Sequence, residues 1–342
     1  MKETSNVVLE VRDLSLCYEL EHGSRIHALN GISFTTQQGE CLGLVGESGS
    51  GKSTVAKAVL QLLPSNATVI NGKVLFKGQD ITRISENQMK DLRWSQISLV
   101  TQSAMNALNP VAKISDQFAE TFVAHGATDK RENLAKGEAL FEMVGLSRKR
   151  IRDFPHQFSG GMRQRVIIAM AIALHPAIII ADEPTTALDV IMQAQIIHLL
   201  QDMVEKEGIS LILITHDISI VAEICDRVGV MYAGCMMEYG AVDRIFENPY
   251  HPYTMGLKGA FPTIKELKKS LISIPGSPPR LLQPIGGCGF SERCPFSVER
   301  CVREIPRMKM VEDDHFVACH RADDVEMFRA QIRDIFRART ES

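Results

Sequence analysis

The run Gly46-Glu47-Ser48-Gly49-Ser50-Gly51-Lys52-Ser53-Thr54 constrains this chain more than any other stretch, because it fits the pattern G-x-x-x-x-G-K-S/T. A short, mostly apolar strand, Glu40–Val45, runs into it, and Ser53–Leu63 reads as a helix ended by Pro64. Strand, glycine-rich turn and helix in that order imply an α/β core. The glycines let backbone N–H groups approach and surround phosphate oxygens. The helix N-terminus adds a favourable dipole for the anion. Lys52 is expected to reach the β- and γ-phosphates of a nucleoside triphosphate, and Ser53 to coordinate Mg²⁺. The pattern alone stops there, since many unrelated ATPases and GTPases share it.

Ile178-Ile179-Ile180-Ala181-Asp182-Glu183 ends a buried strand in two carboxylates. Adjacent acids at a strand end are often only a solvated turn. In a chain with a phosphate loop they take on roles. Asp182 is expected to bind Mg²⁺ through water, and Glu183 to orient and deprotonate the attacking water. A general base contributes roughly 10²–10⁴-fold to rate. Positioning and charge neutralisation by Lys52 and Mg²⁺ supply the rest. Ala177–Ala181 and Ser210–Thr215 read as buried strands, Val7–Tyr18 and Ile32–Thr36 as alternating ones. Lys52 and Asp182 lie further apart than a compact nucleotide core needs. A helical subdomain inserted at about 103–165 accounts for the excess. Residues 115–150 are helix-like around Phe118, Phe122, Leu134, Leu140 and Val144, and helix continues over Gly161–Leu174.

At 342 residues the chain suggests about two domains, and 45% hydrophobic residues suffice for a substantial core. The net charge is −3 with no long basic run, which argues against a dedicated nucleic-acid binder. Met1-Lys2-Glu3-Thr4-Ser5-Asn6 is polar and carries no secretory apolar core. No stretch approaches the ~20 apolar residues of a membrane span; the longest apolar run, Val166–Leu174, stops at His175-Pro176. These features predict a soluble chain whose membrane role, if any, comes through a partner.

Ser159-Gly160-Gly161-Met162-Arg163-Gln164-Arg165 falls between the phosphate loop and Asp182-Glu183. With every motif in order from residue 7 to about 240, the chain resembles the ATP-binding-cassette (ABC) family. The resemblance implies an α/β fold: a P-loop ABC ATPase core, with a RecA-like α/β subdomain, an antiparallel β subdomain and the inserted helical subdomain. It implies that Ser159, Gly160 and Gly161 of one subunit close over ATP held by another, hence a dimer. It matches Gln102, after the strand Ile97–Val100, to the glutamine that senses Mg²⁺ and contacts the transport subunit. Ala187-Leu188-Asp189 matches the D-loop, His216 the switch histidine that touches γ-phosphate, and Tyr18 the aromatic that stacks on adenine. Phe158 stands where the family usually has Leu, and Met162 where it usually has Gln. The intact Ser-Gly-Gly still supplies the phosphate contact.

Several further runs narrow the resemblance: Met105-Asn106-Ala107-Leu108-Asn109-Pro110, Pro184-Thr185-Thr186-Ala187-Leu188-Asp189-Val190, and Asn248-Pro249-Tyr250-His251-Pro252-Tyr253-Thr254. With Cys288-Gly289-Phe290 and Arg293-Cys294-Pro295 they are similar to the D-type ATPase subunits of bacterial and archaeal dipeptide, oligopeptide and nickel importers. Such subunits sit on the cytoplasmic face of the membrane. Two related ATPases, or two copies of one, drive two permease subunits fed by a substrate-binding protein. The implied division is an ATP-binding domain over 1–240 and a transporter-type extension over 241–342. Dipeptide, oligopeptide and nickel stay open as cargo. A soluble ABC ATPase of a cytoplasmic assembly and an iron–sulfur regulatory protein stay open as other classes.

Prolines punctuate the chain after Met236, and Cys288, Cys294, Cys301 and Cys319 follow with spacing C-x₅-C-x₆-C-x₁₇-C. Unrelated buried thiols, two disulfides or oxidation sensors are the simpler readings. A small loop-rich region needs a staple, and an intracellular setting disfavours disulfides. Four thiolates can bind Zn²⁺ or a 4Fe–4S cluster. Paired C-x₂₋₄-C knuckles, usual for zinc, are absent, and the resembled subunits carry 4Fe–4S. A cluster is therefore expected, with Zn²⁺ as the alternative. The extension reads as a separate module, whose loosening would leave ATP binding intact. Phe328, Ile332, Ile335 and Phe336 are spaced as one packing face of a tail helix.

Overall fold

Cys41–Val45, Ile178–Asp182 and Ser210–Thr215 are near-continuous apolar runs, and every residue in them is buried. Strands buried on both faces belong in parallel sheets covered by helices. The computed structural model describes residues 6–102, 107–186, 188–260, 274–279 and 281–341. Its strands are β1 (Val7–Glu19), β2 (Arg25–Gln37), β3 (Cys41–Val45), β4 (Ala67–Phe76), β5 (Gln79–Asp80), β6 (Ile97–Val100), β7 (Ile178–Asp182), β8 (Ser210–Thr215), β9 (Arg227–Tyr232), β10 (Cys235–Ala241), β11 (Lys309–Glu312) and β12 (His315–Val317). Its helices are α1 (Lys52–Val59), α2 (Glu86–Leu92), α3 (Ile114–Ala124), α4 (Lys130–Met143), α5 (Gly160–Ala171), α6 (Val190–Glu207), α7 (Ile218–Ile224), α8 (Val242–Glu247), α9 (Pro252–Ala260), α10 (Glu299–Arg303) and α11 (Val325–Glu341). The chain forms two compact units: Met1–Val8, Gln37–Cys41 and Arg83–Ile214 in one, Leu9–Thr36, Leu42–Thr82 and Thr215–Ser342 in the other.

The first unit holds a parallel ladder, with Ile97 opposite Ile178 and Ile178 opposite Ser210. Its helical part packs around aromatic rings. Phe118 lies 5.9 Å from Phe141, and Phe141 lies 6.3 Å from Phe158, both edge to face. Phe158, where the family usually has Leu, is therefore a buried member of this cluster (4% exposed), with the Arg150 guanidinium 4.4 Å over its ring. The helix-like stretch 115–150 holds the helices α3 and α4. Gly126 takes a left-handed φ of 90° after α3, and Asp129 caps α4 by accepting from Arg131 N and Glu132 N at 2.7 and 3.1 Å. Such a cap contributes about 1 kcal/mol.

In the second unit the strands β2-β1-β4-β5 form one sheet, β4 antiparallel to both β1 and β5. This is the antiparallel β subdomain that the resemblance implied. β9 runs parallel to β3, and β10 antiparallel to β9. α1 ends at Val59, short of the expected Leu63, because Gln61 turns left-handed at φ 50° before Pro64 is reached. The tail helix α11 buries Phe328, Ile332 and Phe336, as their spacing predicted, while Ile335 is half-buried.

The extension is less separate than its turn-rich sequence suggested. β12 pairs antiparallel with β10, matching Glu238 to Val317 and Gly240 to His315, and β11 follows it. Across this joint Glu238 and His315 are both fully buried, with His315 Nε2 donating to Glu238 Oε1 at 2.6 Å. The same carboxylate accepts from the backbone N–H groups of Tyr250 and His251 at 2.7 and 3.0 Å. A buried carboxylate survives only when its oxygens are this well paired.

Removing one partner should therefore be costly. His315→Leu keeps the volume but strands the carboxylate, and is expected to lower stability by about 3 kcal/mol. Urea denaturation measures the loss, and limited proteolysis should cut first within residues 309–317.

Candidate functional site

The phosphate loop is folded around its own lysine. Lys52 is buried, and its Nζ donates to Gly46 O at 2.7 Å, Glu47 O at 3.0 Å and Ser50 Oγ at 3.2 Å. Gly46 sits at φ 150°, and a Cβ there would overlap the Met231 carbonyl. Gly51 is left-handed at φ 101° and starts α1, whose first turn carries Lys52, Ser53 and Thr54. The loop thus places a cation, a hydroxyl and a helix N-terminus together, which is the equipment for a triphosphate and its Mg²⁺. Ser48 and Gly49 complete the loop, Gly49 at φ 80°. Tyr18 is brought to this helix, its hydroxyl 3.3 Å from Thr54 Oγ1. His216 belongs to the same unit. It is exposed and directly follows β8.

The other half of the expected machinery lies in the first unit. Asp182 ends β7 and is buried. Glu183 follows in a left-handed conformation, φ 51°. That geometry is strained for a non-glycine residue, by roughly 1 kcal/mol or more, and such strain clusters at functional sites. The surroundings hold it: Glu183 N donates to Ile214 O at 2.8 Å, and Thr186 Oγ1 donates to Glu183 Oε2 at 3.1 Å. Gln102 stands exposed on the turn after β6. Met105, Asn106 and Ala187 of the quoted motifs lie outside the described residues.

Ser159 is exposed and caps α5, its hydroxyl accepting from Met162 N at 3.4 Å. Gly160 and Gly161 form the first turn behind it. Gly161 packs closely on α6, where a Cβ would displace the end of the flexible Met192 side chain. Asp189 caps α6 through Met192 N at 2.9 Å. The Ser159-Gly160-Gly161 turn and Asp189 therefore share one edge of the unit. Val190 and Ile191 stand beside it, 82% and 71% exposed.

None of the eight cysteines is paired in a disulfide. Cys288, Cys294, Cys301 and Cys319 line one small cavity, together with His251, Phe296 and Phe328. Burial pushes the thiols of Cys288 and Cys294 up to about 12, and that of Cys319 to about 11. Backbone N–H groups two residues on, at Phe290, Phe296 and Arg321, hydrogen-bond the sulfurs of Cys288, Cys294 and Cys319. Donors of that kind favour thiolate. Among the described residues no group of three or more His, Cys, Asp or Glu is arranged to hold a metal ion, so neither the 4Fe–4S cluster nor zinc gains support from this arrangement. Cys235, outside that group of four, is close enough to Cys288 for their charges to interact.

Motif reading missed three residues at the phosphate loop. Arg293 Nη1 lies 2.7 Å from Glu47 Oε2 and donates to Tyr232 Oη at 3.0 Å, while Tyr253 Oη accepts from Glu47 N at 2.9 Å. The available signal was Glu47 itself. A carboxylate inside a phosphate-loop motif is a negative charge that a cation from elsewhere in the chain can offset.

Glu183→Gln keeps the size and hydrogen bonding of the side chain but loses basicity. It is expected to bind Mg-ATP normally while turnover falls by about 10²-fold or more. Near-normal turnover would remove Glu183 from the role of base.

Comparison with known proteins agrees with this geometry. The family model "ABC transporter" matches residues 29–186, and "Oligopeptide/dipeptide transporter, C-terminal region" matches residues 237–301. A probable peptide ABC transporter ATP-binding protein of Sinorhizobium fredii is 42% identical over 94% of this chain and 97% of its own. The oligopeptide transport ATP-binding protein OppD of Bacillus subtilis is 43% identical over 91% of this chain and 87% of its own. The dipeptide transport ATP-binding protein DppD of the same species is 42% identical over 92% and 95%. Among solved structures, a dimeric ATP-binding cassette bound to ADP and phosphate has a TM-score of 0.62 at 26% identity, covering 68% of this chain and 98% of that one. cbiO1 of Clostridium perfringens, part of an ABC transporter complex, also has a TM-score of 0.62, at 30% identity over 71% of this chain and 91% of that one. Motifs, fold and relatives converge, and the chain belongs to the ABC transporter ATP-binding family, as an ATPase of its oligopeptide and dipeptide transport branch.

Proposed function

We propose that this chain is the ATP-hydrolysing subunit that powers import of di- and oligopeptides through a membrane permease. The observation that carries the reading is the union, in one chain, of an ABC ATP-binding region with the oligopeptide/dipeptide transporter C-terminal region. In this reading residues 1–240, with a helical subdomain at about 103–165, bind and hydrolyse ATP, and residues 241–342 are the transporter-type extension. Lys52 and the loop amides of Ser48 to Thr54 hold the phosphates, and Tyr18 stacks on adenine. Ser53, Gln102 and Asp182 hold Mg²⁺. Glu183 takes the proton of the attacking water, and His216 contacts the γ-phosphate. Ser159, Gly160, Gly161 and Asp189 act on the ATP of a second ATPase subunit, a paralogue or another copy. The exposed edge bearing Ser159, Asp189, Val190 and Ile191 supports that trans role.

No helix among the described residues is long and apolar enough to cross a membrane. Membrane attachment is therefore assigned to two permease subunits, with a substrate-binding protein on the far side and this chain at the cytoplasmic face. The extension is assigned a 4Fe–4S cluster on Cys288, Cys294, Cys301 and Cys319. The shared cavity and the N–H donors to sulfur support it, and a cluster spreads its thiolates wider than a single ion does. The cluster would cross-link the extension.

Membrane vesicles containing the chain with its permeases are expected to accumulate labelled peptide in an ATP-dependent manner. Uptake of nickel alone, or a chain that never co-purifies with membrane proteins, would contradict the reading. Protein purified without oxygen should be brown with about four irons per chain. Colourless protein with one zinc, or none, would remove the cluster.

A further inference from the structure

The cysteine-bearing turn reaches the phosphate loop. Cys288 N donates to Cys301 O at 2.7 Å, and Cys294 N and Arg293 N both donate to Phe290 O, at 2.9 and 3.0 Å. These bonds fix a tight turn from Cys288 to Cys294. Phe290, at its centre, is fully buried against Tyr232 at 5.3 Å and Tyr253 at 5.2 Å, edge to face and tilted. Arg293 leaves this turn as a buried cation, 8% exposed. Its Nε and Nη2 donate to Pro275 O at 2.8 Å and Ile274 O at 3.0 Å, and its Nη1 to Tyr232 Oη. The remaining partner of Nη1 is Glu47 Oε2.

Glu47 places a carboxylate in the phosphate loop that carries Lys52. Its carbonyl is one of the acceptors around the Lys52 ammonium, so it belongs to the ring of groups that presents that charge to phosphate. A bare carboxylate there would repel a triphosphate and compete for Lys52. Arg293 supplies the compensating charge, through a planar fork that is itself locked by two carbonyls and a phenol. Tyr253, in contact with the same aromatic cluster, holds the backbone of Glu47 by its N–H.

We propose that Arg293 is a positioning residue for the phosphate loop, and that through its pairing with Glu47 the Cys288–Cys294 turn sets the affinity of the ATP site. The turn gives ATP no ligand. It acts by neutralising Glu47 and fixing where that residue lies. This rests only on ATP binding at the Lys52 loop, and is independent of the cargo.

The test is equilibrium binding of Mg-ATP to the full chain, with kcat and KM where turnover is measurable. Arg293→Met is expected to weaken ATP binding about tenfold, with KM rising and kcat little changed. Arg293→Lys should fall between. Adding Glu47→Gln to Arg293→Met should restore most of the affinity, because the unpaired charge is gone. Cys294→Ser should weaken binding in the wild-type background and add little in Arg293→Met. Lys52→Ala separates the two readings: retained ATP binding there would sink the site itself. If Lys52→Ala abolishes binding while Arg293→Met leaves it unchanged, the positioning role is wrong. A double variant no tighter than Arg293→Met would reduce Arg293 to packing and overturn the charge argument. Fully additive effects of Cys294→Ser and Arg293→Met would overturn the link to the cysteine turn.

Discussion

A buried ammonium organises the nucleotide end of the second unit. Lys52 can lie almost without water only because Gly46 O, Glu47 O and Ser50 Oγ accept from it. Those acceptors converge because Gly46 and Gly51 adopt backbone angles that a side chain would forbid at close range. The strand β3 behind the loop must in turn be fixed, which explains why all its residues are buried. Fold and site are thus one problem here: a loop curled on a cation, held by a strand that is apolar throughout.

The same reasoning explains the two buried polar joints of the second unit. Glu238 with His315, and Glu47 with Arg293, each join a residue of the ATP-binding region to a residue of the extension. All four groups are buried or half-buried, Glu238 is met by three donors and Arg293 by four acceptors, so removing a partner is costly. These joints make residues beyond 241 part of one compact unit with the phosphate loop. The extension reads from its turns as a module apart. Its pairing of β12 with β10 and its arginine at Glu47 contradict that independence.

What the sequence made legible was local. Phosphate-loop spacing, the carboxylates ending β7, the Ser-Gly-Gly at the start of α5 and the tail stripe Phe328, Ile332, Phe336 each depend on neighbours within a turn or two. What stayed hidden depends on distant pairing. Nothing near Arg293 says that it meets Glu47, and nothing near Cys235 says that it approaches Cys288. The break within the helix-like stretch 115–150 stays hidden for a smaller reason: Gly126 and Asp129 are a stop and a start signal placed close together, inside a pattern that otherwise keeps helical period.

The central claim, that hydrolysis at this site drives peptide import, is tested most directly by ATP turnover in proteoliposomes. These would hold the chain, its partner ATPase and the permeases, with the substrate-binding protein added either empty or loaded. Coupled transport requires turnover to rise several-fold when the binding protein carries peptide, and to stay low when it is empty. Turnover indifferent to peptide, with ATP still consumed at the full rate, would contradict the account.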